Sequence, residues 1–391
     1  MMEDFKKTSL QDWEQLVAKQ LKTDDIYAVL RKENIEGIIL QPYYGNAATA
    51  GILPRSEENT HLVARYNPDF VDQAFAVLVD GPADELTEKA VFVEKAALEN
   101  GLPFTAENKY FSLCDILPNN LPAEIYAETV EKLKDLPFEK NYCIDISTHQ
   151  NAGASMVQQL AVALLKAKEL AEQEGPEVLN KLLFRTAIGG NYFLEISKLR
   201  ALKLLIGQLG KEFGVETTGY IFAENSLRNK TTGDPENNLI RSTLELAAGM
   251  IAGADAVFAQ DYKIENTDSL SEEISFKQLI VLAYESIINV FGDAAAGAFV
   301  VEDATRQLAE KAWQLFLDLE EKGGYLEVLK TGELQRMIYE HGTEEQQKVD
   351  DGSIKLIGVN LYPALTPVHE IADLYDPATI KSVRLSQRYE A

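Results

Sequence analysis

Cysteine and histidine are both scarce in this chain of 391 residues, with two of the first and four of the second. The cysteines, Cys114 and Cys143, sit in apolar runs. That excludes a disulfide-stapled scaffold and reads as buried thiols of a reducing compartment. The histidines (His61, His149, His341 and His369) form no close cluster with one another or with cysteine, so no dedicated zinc site is written here. No run of about 18 apolar residues occurs, and the start, M-M-E-D-F-K-K, has no apolar core of a signal peptide. A soluble, cytoplasmic protein is expected. Basic residues are outnumbered 37 to 62, a net charge of −25, and no local basic patch offsets it. Nucleic-acid partners are therefore excluded. The phosphate cradles G-x-x-x-x-G-K-[ST] and G-x-G-x-x-G are absent, as is the G-x-S-x-G nucleophile elbow.

What is present is ordinary globular material, 46% hydrophobic and 25% charged. Trp13, Leu16, Leu21, Ile26 and Leu30 recur near helical spacing, interrupted by Thr23-Asp24-Asp25. Ile35–Leu40 reads as a short strand and Gln41–Thr60 as a long loop. From His61 onward, short apolar strands alternate with helical patterns. The strands expected are His61–Tyr66, Ala74–Asp80, Tyr110–Leu113, Tyr142–Ile146, Leu182–Ile188, Thr218–Ala223, Ala256–Ala259 and Leu356–Val359. One amphipathic helix carries Phe193, Ile196, Leu199, Leu202, Leu205 and Leu209; another carries Leu308, Ala312, Leu315, Phe316 and Leu319 and stops at Gly323-Gly324. Eight strands with helices between them predict an α/β fold of the TIM type, a (β/α)8 barrel with an N-terminal helical arm. An open doubly wound sheet is the alternative. The expected division is an arm and loop over 1–60, a barrel over 61–375, and the start of a linker over 376–391.

Four stretches carry more than a fold. They are I-S-T-H-Q-N-A-G-A-S-M-V-Q-Q-L-A (146–161), A-I-G-G-N-Y-F-L-E-I-S-K-L-R-A (187–201), E-N-S through D-P-E-N-N-L-I-R-S-T (224–243) followed by G-A-D-A-V, and G-D-A-A-A-G-A-F-V-V-E from Gly292 to the helix that ends at Gly323-Gly324. In this order and spacing they resemble the barrel half of the adenosylcobalamin-dependent methylmalonyl-CoA mutase family, and most of all its small (β) subunits. The resemblance implies a barrel that holds acyl-CoA along its axis in catalytic members, a radical interconversion of methylmalonyl-CoA and succinyl-CoA, and a cobalamin-binding flavodoxin-like domain on the catalytic subunit.

The departures from the family pattern point to a silent subunit. The cobalamin signature D-x-H-x-x-G is absent: the residues two before the histidines are Asn59, Ser147, Tyr339 and Pro367. No cobalamin-binding domain and no cofactor on this chain are expected, with adenosylcobalamin carried by a catalytic large subunit as heterodimer partner. Where catalytic subunits have S-G-Y-H-M-Q-E-A-G-A, this chain has D-I-S-T-H-Q-N-A-G-A, placing Thr148 at the catalytic histidine and His149 one residue later. On a strand, one residue changes the face. The family's H-C-Q-T-S-G-W-S reads F-A-E-N-S-L-R-N at Phe222–Asn229, and D-P-x-G-G-S reads D-A-A-A-G-A at Asp293–Ala298.

No catalytic residue is therefore assigned; Thr148 and His149 mark a degenerate catalytic position. His149, Gln150, Glu224 and Asn225 are the candidates for substrate contact. For His149 a turn-capping role is preferred to proton donation. Glu195 and Arg200 read as polar scaffold, Gly189-Gly190 as a tight strand-to-helix turn, and Asp234, Asn237 and Asn238 as helix caps. Arg241 is expected to pair with a barrel carboxylate. Trp13 and the arm either meet a partner or pack back on the barrel. The competing functions are an acyl-CoA-binding isomerase barrel served by a separate cobalamin protein, and a stand-alone acyl-CoA-binding scaffold.

Overall fold

The computed structural model describes residues 8–46, 48–84, 86–363 and 374–390. The arm holds α1 (Leu10–Leu21) and α2 (Ile26–Leu30), followed by a two-residue antiparallel ladder of β1 (Lys32–Glu33) and β2 (Ile39–Leu40). The break at Thr23-Asp24-Asp25 is a cap: the Asp25 carboxylate accepts the Ala28 amide and starts α2.

The barrel strands are β3 (His61–Arg65), β4 (Ala76–Val79), β5 (Ala90–Val93), β6 (Lys109–Ser112), β7 (Phe138–Lys140), β8 (Tyr142–Asp145), β9 (Leu182–Ile188), β10 (Tyr220–Asn225) and β11 (Ala256–Phe258). Every pairing among them is parallel, in the order β7-β6-β5-β4-β3-β11-β10-β9-β8. β7 and β8 are two halves of one strand that breaks at Asn141. The first half pairs with β6 and the second with β9. A parallel bridge between Asp115 and Cys143 closes the ring, so eight staves surround one axis. Seven of the strands expected from sequence are present. The eighth stave is Ala90–Val93, not Leu356–Val359. The latter forms only an isolated bridge, Ile357 to Leu361, in a turn after the last long helix.

The staves are not evenly covered. β3 and β4 are joined by a single 3-10 turn at Val71–Gln73, β4 and β5 by a loop without a described helix, and only the short α3 (Lys95–Glu99) and α4 (Ala127–Lys134) cover the β5–β6 and β6–β7 connections. After β8 the helices are long: α5 (Ser147–Ala152) leads into α6 (Met156–Glu174), then come α7 (Tyr192–Glu212), α8 (Pro235–Ile251) and α9 (Ser269–Ile280). α10 (Phe299–Glu320) packs as a second layer on α6 and α7. For that reason α7 is buried nearly all round, charged residues included, rather than showing one wet face. α11 (Gly324–Lys330) and α12 (Glu333–Asp350) complete the helices.

Two glycines of the recognised stretches are explained by close approach. A Cβ on Gly153 (φ 100°) would lie 2.6 Å from the Gly342 Cα, where α12 crosses α5. A Cβ on Gly253 would lie 1.8 Å from the Gly292 carbonyl oxygen. Segment 380–390 is bonded along the barrel rim. Ile380 exchanges two hydrogen bonds with Asn120, the Val383 amide donates to Asn151 O (2.9 Å), and the Leu385 amide donates to Arg228 O (2.8 Å). Among the described residues no helix is long and apolar enough to cross a membrane.

Candidate functional site

In a parallel barrel, chemistry belongs at the C-terminal ends of the strands. Alternate residues of each stave point to the axis, and here they form a separate core: Val63, Ala76, Leu78, Ala90, Phe92, Phe111, Leu113, Cys143, Leu183, Tyr220, Phe222, Ala256 and Phe258. Five aromatic rings fill the centre. Phe92 stacks on Phe111 at 4.9 Å and meets Phe222 at 5.0 Å; Phe111 meets Tyr220 at 4.9 Å, and Phe222 lies 6.2 Å from Phe258. None of the five is more than 1% exposed. Clefts of about 990 and 600 Å³ open beside α9 and between α3 and α4, and none of these rings lines either.

Above the rings, the last inward position of several staves is charged. Arg185 of β9 donates to Glu94 Oε1 (2.7 Å) and, through Nε and Nη2, to Glu224 Oε2 (3.1 and 2.9 Å). Gln260 Nε2 donates to the same Glu224 oxygen (3.1 Å), and its backbone amide donates to Asn225 Oδ1 (2.7 Å). Arg65 pairs with Asp80. The guanidiniums of Arg185 and Arg65 lie over the Phe222 and Phe258 rings at 5.9 and 5.6 Å. Burial pushes the Glu224 carboxyl up, with Arg185 pulling the other way. The mouth is thus roofed by paired charges, with one orphan among them, the buried Asn225 Nδ2.

The predicted site residues do not converge. Glu224 and Asn225 belong to this roof. Gln150 lies in a different buried cluster, where its Nε2 donates to Glu195 Oε1 (3.2 Å) and its Oε1 accepts from Lys198 Nζ (2.6 Å). Thr148 is half-buried. His149 is fully buried, with the Asp145 carbonyl near its ring but no well-aligned hydrogen bond at either nitrogen. Burial, and then the nearby Lys166 ammonium, hold its imidazole well below the usual range, hence neutral. The stretch from Ser147 to Ala152 is helical, so the one-residue shift from Thr148 rotates the side chain by about 100° rather than to an opposite strand face.

The scaffold readings hold for Glu195, which accepts the Gly189 amide (2.8 Å), and for Arg200, which pairs with Asp293 and Glu302. Arg241 differs: it donates to Asn238 Oδ1 (2.9 Å) and to the Ile357 carbonyl (2.6 Å) instead of to a carboxylate. Asp234 is the N-cap residue of α8, but its carboxylate accepts from the Asn237 side chain and caps no backbone amide, while Asn238 ties Thr231 and Tyr262 together. Burial pushes the Cys114 thiol up to about 11 and raises Cys143 well above its ordinary value, so both are inert. No group of three or more metal-ligating side chains occurs among the described residues.

With eight parallel staves and the N-A-G-A turn in place, the comparisons decide the family. The methylmalonyl-CoA mutase family model matches residues 123–388, more than half of the chain. The chain belongs to the methylmalonyl-CoA mutase family. It is 29% identical over 252 residues to the methylmalonyl-CoA mutase small subunit of Porphyromonas gingivalis, covering 61% of this chain and 41% of that one. The small subunit of Propionibacterium freudenreichii subsp. shermanii is 28% identical over 242 residues, 59% of this chain and 38% of the relative. The large subunit of Porphyromonas gingivalis is 28% identical over 272 residues, 66% and 37%. The chain spans about two fifths of the length of these relatives. Within this mutase barrel, sequence reasoning named Glu224 and Asn225 of the roof but missed Arg185, Glu94 and Gln260 there, and the ring column. Arg185, a lone charge inside an apolar strand, was the available signal for the roof.

Proposed function

We propose that this chain is the non-catalytic small subunit of a heterodimeric methylmalonyl-CoA mutase, supporting a large subunit that carries adenosylcobalamin and the substrate. The observation that carries this reading is the aromatic column: the axis that holds acyl-CoA in catalytic members is filled by five rings and closed by ion pairs. It also weighs against the two acyl-CoA-binding alternatives, because a thioester could enter only by displacing packed aromatic core.

Adenosylcobalamin does not fit the described mouth. A cobalt ligand would need an imidazole facing outward there. His149 is sealed beside Lys166, His61 begins β3 at the opposite end, and His341 donates through Nδ1 to the Gly153 carbonyl on the rim (2.7 Å). His369 lies outside the described residues. Differential stabilisation of a radical transition state needs the group that makes the radical, and this chain's role in the reaction is then structural.

Partner contact falls to the arm. The chain after α2 is tied back to the barrel at several points: Ile38 is buried, the Ile39 amide donates to Gln307 (2.9 Å), and the amides of Ala50 and Leu53 donate to Glu302 and Asp293 (both 2.9 Å). α1 behaves otherwise. It has no buried residue and leaves Leu10, Leu16 and Leu21 exposed on a helix that a partner can cover. The test is to mix the purified chain with a methylmalonyl-CoA mutase large subunit. A single heterodimer peak with activity absent from this chain alone is expected; separate elution of the two chains overturns the proposal.

A further inference from the structure

The chain from Ile380 to Glu390 lies outside every stave, yet Ile380, Val383, Leu385 and Ser386 are buried. It is bonded to the rim, one loop after another. Ile380 exchanges two hydrogen bonds with the Asn120 side chain in the loop after β6 (2.7 and 3.0 Å). The Val383 amide donates to the Asn151 carbonyl in α5, after β8 (2.9 Å), and the Leu385 amide to the Arg228 carbonyl, after β10 (2.8 Å). Ser386 Oγ donates to the Lys230 carbonyl (2.7 Å), and Glu390 Oε1 accepts the Thr232 amide (2.9 Å). Arg388 and Tyr389 close on Asp350 at the end of α12 (2.7 and 2.8 Å).

Arg228 holds the middle of this segment. It is buried, and its guanidinium donors go to two elements: Nη1 to the Val383 carbonyl of the segment (2.7 Å), and Nη2 and Nε to the Gly342 carbonyl and Glu345 Oε2 of α12 (3.0 and 2.9 Å). Its cation also lies 5.4 Å from the centre of the Tyr375 ring, just before the segment. In the turn H-C-Q-T-S-G-W-S the matching residue is tryptophan, whose single N–H cannot serve two carbonyls and a carboxylate. The pin is therefore a departure of this chain from that pattern. Asn120 and Arg228 stand on loops three stave spacings apart, about 14 Å along the ring. We infer that residues 380–390 are a strap, pinned by Arg228, that makes the loops after β6, β8 and β10 open as one unit. The segment has no ladder of its own, so only these bonds hold it down, and each loop keeps its bond only while the strap lies flat. Releasing either end frees the other, and the rim opens only when the whole strap lets go.

Hydrogen exchange resolved to single amides, on the isolated chain, reads both ends of the strap and stands apart from the partner proposal. The amides are those of Ile380, Val383, Leu385 and Thr232, with β9 and β10 as the fold control. In the wild type the four should share one opening equilibrium, with protection equal to within about threefold. Arg228→Trp and Asn120→Ala should each lower protection at all four by about tenfold or more, the distant end included. The double variant should lose no more than the more damaging single one. Contacts that only steady their own loops would act locally, and at this separation their effects would add. Should Arg228→Trp fail to fold, Arg228→Lys, which keeps a charge for Glu345 but loses the fork, takes its place with the same expectation. Loss confined to Val383 and Leu385 in the Arg228 variant and to Ile380 in Asn120→Ala, or additive losses in the double variant, would overturn the strap.

Discussion

The guanidinium of Arg185 lies 5.9 Å from the centre of the Phe222 ring, so one cation roofs the aromatic column while holding Glu94 and Glu224. Column and roof are one device: the rings exclude water from the axis, and the dry axis makes the paired charges depend on one another.

Arg185→Met separates these roles. It removes the cation but keeps much of the packing over Phe222. Glu224 is then buried without its counter-charge, at a cost of about 3–5 kcal/mol. Its folded carboxyl, already raised by burial, rises further, so the stability that remains is present at low pH and is lost as pH increases. Urea unfolding at pH 5 and pH 8 should show the variant closer to wild type at pH 5.

Phe222→Ala opens a cavity in the column. Large-to-small changes at such buried aromatic sites cost about 3–5 kcal/mol, and Phe222 touches both Phe92 and Phe258 rings. The urea midpoint should fall accordingly, with the slope unchanged if the barrel stays cooperative.

Lys203 offers a pH test with the opposite sign. Burial pulls its ammonium down to about 8 despite Asp255 and Asp293, while its Nζ donates to the Gly253 carbonyl (2.7 Å). Between pH 8 and about 10.5 the unfolded chain binds more protons at this site than the folded one, so stability contributed here rises with pH. The difference between wild type and Lys203→Met in unfolding free energy should shift in favour of wild type across that window. A constant difference would show that Lys203 keeps its charge.

Gly253→Ala and Gly153→Ala should both destabilise, the first more severely. The added methyl would meet the Gly292 carbonyl at 1.8 Å, with both atoms held by backbone, whereas at Gly153 the backbone of Gly342 lies 2.6 Å away. Both glycines also hold positive φ, 71° and 100°. Melting temperatures of the two variants check the order.

Much of the barrel was legible because parallel staves, buried on both faces, read as apolar runs. Leu182–Ile188 is the clearest, matching β9 end to end. Ala90–Val93 was missed because four residues after the charged Glu88-Lys89 give no periodicity, while Leu356–Val359 has the right composition but pairs with none of the described staves. α7 was legible as a helix but not as a buried one, since its second cover, α10, lies some hundred residues further along. The site was harder. Phe92, Phe111, Tyr220, Phe222 and Phe258 come from four different strands, and only the shared register places them on one axis. His149 could not be placed because a helix begins at Ser147, about one turn before the N-A-G-A at which the sequence suggests a helix start.

The exposed leucines of α1 separate binding from stability. Leu16→Asp, at a position 56% exposed, should change the unfolding free energy by no more than about 0.5 kcal/mol. It should nevertheless weaken association with a large subunit at least tenfold by calorimetry. Unchanged affinity would remove the arm from the interface.

The closed axis is tested most directly by titrating the purified, partner-free chain with methylmalonyl-CoA and with succinyl-CoA in a calorimeter. The filled column predicts no saturable heat for either thioester, in wild type and in Arg185→Met alike. A one-to-one isotherm that disappears when an axis ring such as Phe111 is enlarged to Trp would contradict it, and with it the account of this chain as a silent barrel.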